Sequence, residues 1–214
     1  MISETKLNIT ILGSLLLFSL AAFVFDKPYL ITLATKISIL GLAAVGLNFI
    51  LGFSGLVSFG HAAFFGVGGY VAGILASHAL NFEPIFTRFF VIEGTTNLLI
   101  IWPTAFLISG LIALFIGYFS LRTTGVYFIM ITLAFAQMLY YFAISWPSYG
   151  GEDGLPIYVR GQLLGLDLMD GFTFFLVAYF WLIFGIIISL IIVNSPFGLS
   201  LRACKKNISR VAAV

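Results

Sequence analysis

Asn48, Ser54, Ser58 and His61 are the polar side chains of one glycine-rich stretch, GLNFILGFSGLVSFGH (46–61). An amide, two hydroxyls and an imidazole can exchange hydrogen bonds with a solute without fixing a charge on it. The backbone between them is equally informative. Nine of the chain's 22 glycines fall between positions 41 and 73. Gly52, Gly55 and Gly60 each lower helix propensity by about 1 kcal/mol relative to alanine, so an interruption of the helical ladder is expected within Gly52–Gly60. Inside lipid, broken backbone persists only where protein or a water-lined path satisfies its polar groups. Asn48, Ser54, Gly55, Ser58, Gly60 and His61 are therefore candidates for a translocation pathway, with Gln137 as the strong amide of a later apolar run. For each side chain the alternative is a structural hydrogen bond to a neighbouring helix.

Enzyme chemistry finds no foothold. His61 and His78 stand 17 residues apart with no H-E-x-x-H, no G-x-S-x-G elbow is present, and no lysine follows a glycine. No P-loop, catalytic residue, metal site or cofactor is expected. The single cysteine, Cys204, excludes an internal disulfide framework and a cysteine metal cluster.

The elements that carry these residues must be membrane helices. The chain is 61% hydrophobic and 8% charged, against about 25% charged residues in a soluble domain. A spanning helix needs about 20 apolar residues. Six runs qualify, at approximately 7–25, 29–51, 61–79, 98–119, 123–145 and 172–193. The expectation is an all-α polytopic membrane protein, one domain over 1–214, with a glycine-rich broken or re-entrant segment. The first run is too long for the core of a cleaved signal peptide and reads as a span. Gly69, Gly73 and Ser77 form a small-xxx-small stripe that reads as a helix-packing seat.

Charge sets the direction. Residues 194–214 carry Arg202, Lys205, Lys206 and Arg210 and no acid, which makes them cytoplasmic. Counting back puts the N-terminus and Arg122 inside, and 80–97 and 146–171 outside. Net charge is only +2, with no basic stripe, so nucleic acid is not an expected partner. All eight acids lie outside the six runs. Ion-coupled carriers usually place an acid in the membrane, so the energy is expected to come from a separate subunit. An ion-coupled carrier built from carbonyls and hydroxyls is the less favoured alternative. An uncharged path suits a small zwitterionic or neutral solute.

After the last run, Asn194 or Ser195 can cap a helix and Pro196 suits its first turn. Phe197, Leu201, Cys204, Ile208 and Val211 recur at spacings of 4, 3, 4 and 3, giving an amphipathic surface helix over 195–211. Such a helix either lies on anionic lipid or seats in a partner.

Three ordered stretches carry a resemblance. G-L-N-x-x-L-G-x-S-G-L-x-S-x-G-H-A-A-F-F-G-x-G-x-Y from 46, LRTTGVYFIMITLAFAQMLYYFAISWPSYGGEDGL (121–155) and NSPFGLSLRACKKN (194–207) together resemble the LivM-type permeases of branched-chain amino acid ABC transporters. The resemblance implies an inner-membrane subunit that moves branched-chain amino acids inward, with a urea or short-amide permease as the alternative. It implies a second permease subunit, two ATP-binding subunits and a periplasmic or extracellular solute-binding protein as partners. It makes Phe197, Gly198, Leu201, Arg202 and Lys205 the candidate ATPase-coupling residues. Glu152 and Asp153, in the glycine-flanked outer turn, are candidates for docking the binding protein or else sit in a solvated loop. Family members continue through further spans beyond the position of Val214, so the chain reads as incomplete, ending at the coupling helix.

Overall fold

A computed structural model describes residues 2–82, 84, 93–157, 160–163 and 165–206. The described chain is all-helical apart from short loops and isolated bridges, and it divides into two compact units.

The first unit comprises residues 1–49 and 167–201. Its helices are α1 (Ile2–Val24), α2 (Pro28–Asn48) and α6 (Gly171–Asn194). The α1–α2 turn closes as a Schellman motif. Asp26 takes the left-handed conformation (φ 49°), and the Lys27 N–H reaches back to the Ala22 carbonyl at 2.9 Å. Pro28 opens α2, where a missing N–H costs nothing. Asp170 starts α6 by accepting from both the N–H and the hydroxyl of Thr173.

The core of this unit is Ala22, Ile31, Ala34, Phe175, Tyr179 and Leu182. Small residues let α2 and α6 approach closely and reciprocally. A Cβ on Gly41 would lie 3.3 Å from Leu182, and one on Gly185 would lie 2.4 Å from Leu42. Ser19, Thr35 and Ser38 are buried, and each hydroxyl donates to a carbonyl one turn back in its own helix. They are thus satisfied without a partner helix. Across helices, the Tyr179 hydroxyl donates to the Leu12 carbonyl at 3.0 Å.

The second unit comprises residues 50–166 and 202–214. It holds α3 (His61–Asn81), α4 (Leu98–Ser120) and α5 (Val126–Ile144). The Ser109 hydroxyl donates to the Phe64 carbonyl at 3.0 Å, tying α4 to α3. Beyond α5, two short 3-10 turns, Pro147–Tyr149 and Gly151–Asp153, reverse the chain. They are fastened to the end of α3 by a 3.0 Å bond between His78 Nε2 and the Tyr149 hydroxyl. The stripe Gly69–Gly73–Ser77 is not a helix seat. Gly69 faces open space, and Gly73 receives Leu155 and Ile157, both from the loop beyond the turns.

Among the described residues, five helical segments are long and apolar enough to cross a membrane: Pro28–Ser54, His61–Asn81, Leu98–Ser120, Val126–Ile144 and Gly171–Asn194. A shorter apolar helix, Asn8–Val24, occupies the first expected span. Their outer faces are as apolar as a core, with Phe106 78% and Leu114 72% exposed. Such surfaces belong against lipid.

Candidate functional site

The helical ladder breaks where the glycines predict. After Asn48 the helix widens into a π turn, Phe49–Ser54, then runs without regular structure through residues 55–60 until α3 begins at His61. Gly55 needs its missing side chain, because it sits at φ +73°. The Ser54 hydroxyl donates to the Ile50 carbonyl at 2.6 Å, and the Leu56 N–H reaches the same carbonyl at 3.1 Å. The turn is therefore closed by its own groups.

Residues 58–60 are fastened to α5. The Ser58 hydroxyl is buried and accepts the Gly60 N–H at 3.3 Å, while the Phe59 N–H donates to the Thr132 hydroxyl at 3.4 Å. Gly60 is buried, and a Cβ there would stand 3.3 Å from the Thr132 carbonyl. Ser54 and Ser58 thus have their hydroxyls occupied by backbone. His61 differs: its Nδ1 is buried without a hydrogen-bond partner among the described residues, and its ring packs edge-on against Phe64 at 5.9 Å.

A cavity of about 570 Å³ opens between α3, α4 and α5, with Phe59, Ala63, Tyr70, Ile108, Gln137 and Trp146 in its wall. Among the described residues Gln137 is the only amide there, in an otherwise apolar and aromatic lining. The sequence candidates therefore fall into groups. Ser54, Gly55, Ser58, Gly60 and His61 make the break, Gln137 faces the cavity on α5, and Asn48 is exposed at the end of α2. Thr132 escaped sequence reading, although it is the lone threonine of the apolar run 126–144. A hydroxyl in mid-span is a signal that it closes a backbone gap.

The helix after α6 is α7 (Pro196–Lys206). Ser195 caps it, its hydroxyl accepting the Gly198 N–H at 3.4 Å and donating to the Ile192 carbonyl at 2.6 Å. Gly198 is buried in the bend, where a Cβ would stand 2.3 Å from the Val193 carbonyl. Phe197 and Arg202 are exposed, Leu201 and Cys204 half-buried. The rest of the expected stripe, Ile208 and Val211, and Arg210 lie outside the described residues. Lys205 reaches back to the break, its ammonium donating to the Gly52 carbonyl at 2.9 Å. Glu152 and Asp153 are exposed in a turn flanked by Gly150 (φ 86°) and Gly154 (φ 80°).

Long apolar helices, a glycine break braced by hydroxyls and an amphipathic helix after the last span define a multi-pass helical membrane protein of permease build. The chain belongs to the branched-chain amino acid transport system / permease component family, which matches it over residues 29–214. It is similar to the high-affinity branched-chain amino acid transport system permease protein LivM of Salmonella typhimurium (strain LT2), with 24% identity over 164 residues. That alignment covers 74% of this chain and 35% of the relative, so the chain spans about a third of the relative's length. No solved structure matches the chain.

Proposed function

We propose that residues 1–214 belong to one permease domain of an ABC importer, not an enzyme, that carries branched-chain amino acids inward across the inner membrane. The observation that carries this reading is the braced break at 55–60 between two spanning segments. It gives a translocation path uncharged polar groups, and no acid stands in α2–α6 to couple transport to an ion. In this reading the Gln137 amide meets the polar end of the solute, and the apolar cavity wall accepts its branched side chain.

The N-terminus and α7 face the cytoplasm. Charge counting puts both the end of α2 and residues 194–214 on that side, and the Lys205–Gly52 bond agrees, since it needs both on one side. Two ATP-binding subunits engage α7 through Phe197, Leu201 and Arg202. A second permease subunit completes the path, and an external binding protein docks at Glu152 and Asp153.

The test is uptake of labelled leucine into proteoliposomes that contain the complete transporter, binding protein and ATP. Uptake that needs ATP and is competed by valine and isoleucine is expected. Competition by urea or short amides alone would favour the alternative cargo. Uptake driven by an ion gradient without ATP would overturn the ABC reading.

A further inference from the structure

Lys205 does two things at once in the second unit. Its ammonium donates to the Gly52 carbonyl at 2.9 Å. Its aliphatic stem lies across Gly55, where a Cβ would come within 2.8 Å of Lys205 Cγ and 3.3 Å of Cδ. Both contacts follow from the break. The last carbonyls of a helix have no partner further along the chain, and a cation is favoured at that end of the helix dipole. At Gly55 the absence of a side chain serves both the left-handed backbone and the passage of the lysine stem. The contact links residues 153 apart in sequence, and nothing local would hold it.

We propose that Lys205 is the strut by which α7 grips the glycine-rich break, so that displacement of α7 is delivered to residues 52–60 through one ammonium–carbonyl bond. Lys205 is then a positioning residue whose charge is directed at Gly52 rather than at the ATPase. Delivery of the stroke rests on the reading of α7 as the ATPase contact, whereas the grip on Gly52 does not.

The experiment uses the assembled transporter in nanodiscs, with Cys204→Ser and Val57→Cys as a thiol reporter; Val57 is exposed beside the break. The rate of labelling by a membrane-impermeant maleimide is read with and without a non-hydrolysable ATP analogue. Nucleotide should change the rate several-fold in the chain with Lys205. Lys205→Met should abolish that change, and Lys205→Arg should preserve it. An unchanged response in Lys205→Met overturns the strut, and no response with Lys205 intact overturns its delivery role. The grip is read separately by hydrogen exchange at the Leu56 amide in the chain alone. Lys205→Met should speed exchange by about tenfold, and equal rates overturn the grip. A cysteine introduced as Leu201→Cys should crosslink to the ATPase subunit; failure to do so, with the exchange difference retained, would sink the coupling reading of α7 alone.

Discussion

The hydroxyl of Thr132, in the first half of α5, accepts the N–H of Phe59 at 3.4 Å and donates to the Ile129 carbonyl at 3.0 Å. One side chain thus closes a gap in the backbone 73 positions earlier in sequence. The Phe59 N–H lies outside any helical ladder, so this bond is worth more to the break than to α5. Thr132→Val, nearly the same in shape, is expected to cost about 1 kcal/mol of stability and to lower uptake more than it lowers the amount of protein in the membrane. Thr132→Ser should behave as the unaltered chain. Thermal unfolding in detergent, read beside initial uptake rates, checks both.

Gly185 and Leu42 make a second pair, with room for no more than a hydrogen on the glycine. Gly185→Ala should destabilise the first unit by about 1–3 kcal/mol, the usual cost of overpacking a filled core. Adding Leu42→Ala should recover part of the loss. A double-mutant cycle on denaturation midpoints measures the recovery, and strict additivity would mean the helices simply separate to make room.

Gly198 carries the bend between α6 and α7. A methyl group there meets the Val193 and Ile192 carbonyls at 2.3 and 2.5 Å. Backbone cannot yield as a side-chain tip can, so Gly198→Ala should reorient α7 while α6 still inserts. ATP hydrolysis should continue with uptake largely lost. Uptake equal to that of the unaltered chain would mean that the bend has no part in coupling.

Leu201→Asp places a charge on the half-buried side of α7. It should uncouple hydrolysis from uptake if that side seats in an ATPase groove. If α7 merely rests on lipid, the same change should weaken membrane contact and leave the ratio of hydrolysis to uptake as it was.

Glu152 and Asp153 project from a turn that three glycines and the His78–Tyr149 bond hold in shape. Neutralising both, as Glu152→Gln and Asp153→Asn, should weaken capture of the binding protein at low salt and matter little at high salt. Tyr149→Phe should produce a similar loss without removing a charge, because the turn would lose its tie to α3.

The spans were legible in the sequence because lipid imposes a requirement that composition alone can meet: about 20 apolar residues and every backbone group bonded within its own helix. The break was legible for a related reason. Gly52, Gly55 and Gly60 act locally on helix propensity, and their effect is the same whatever surrounds them. The cap of α7 by Ser195, with Pro196 in the first turn, was equally local. What occupies the freed groups was not legible. Ser54 bonds within its own turn, but Phe59 is met by Thr132 from α5, and Gly52 by Lys205 from a helix at the other end of the chain. The stripe at Gly69 and Gly73 misled for the same reason, since a small residue records that something comes close without naming it. In Gly73 the visitor is Leu155 of a loop, not a helix. Hydropathy and propensity are properties of single residues and short windows, so sequence could set them. Which distant atom fills a gap depends on how the helices pack, and only the tertiary structure decided that.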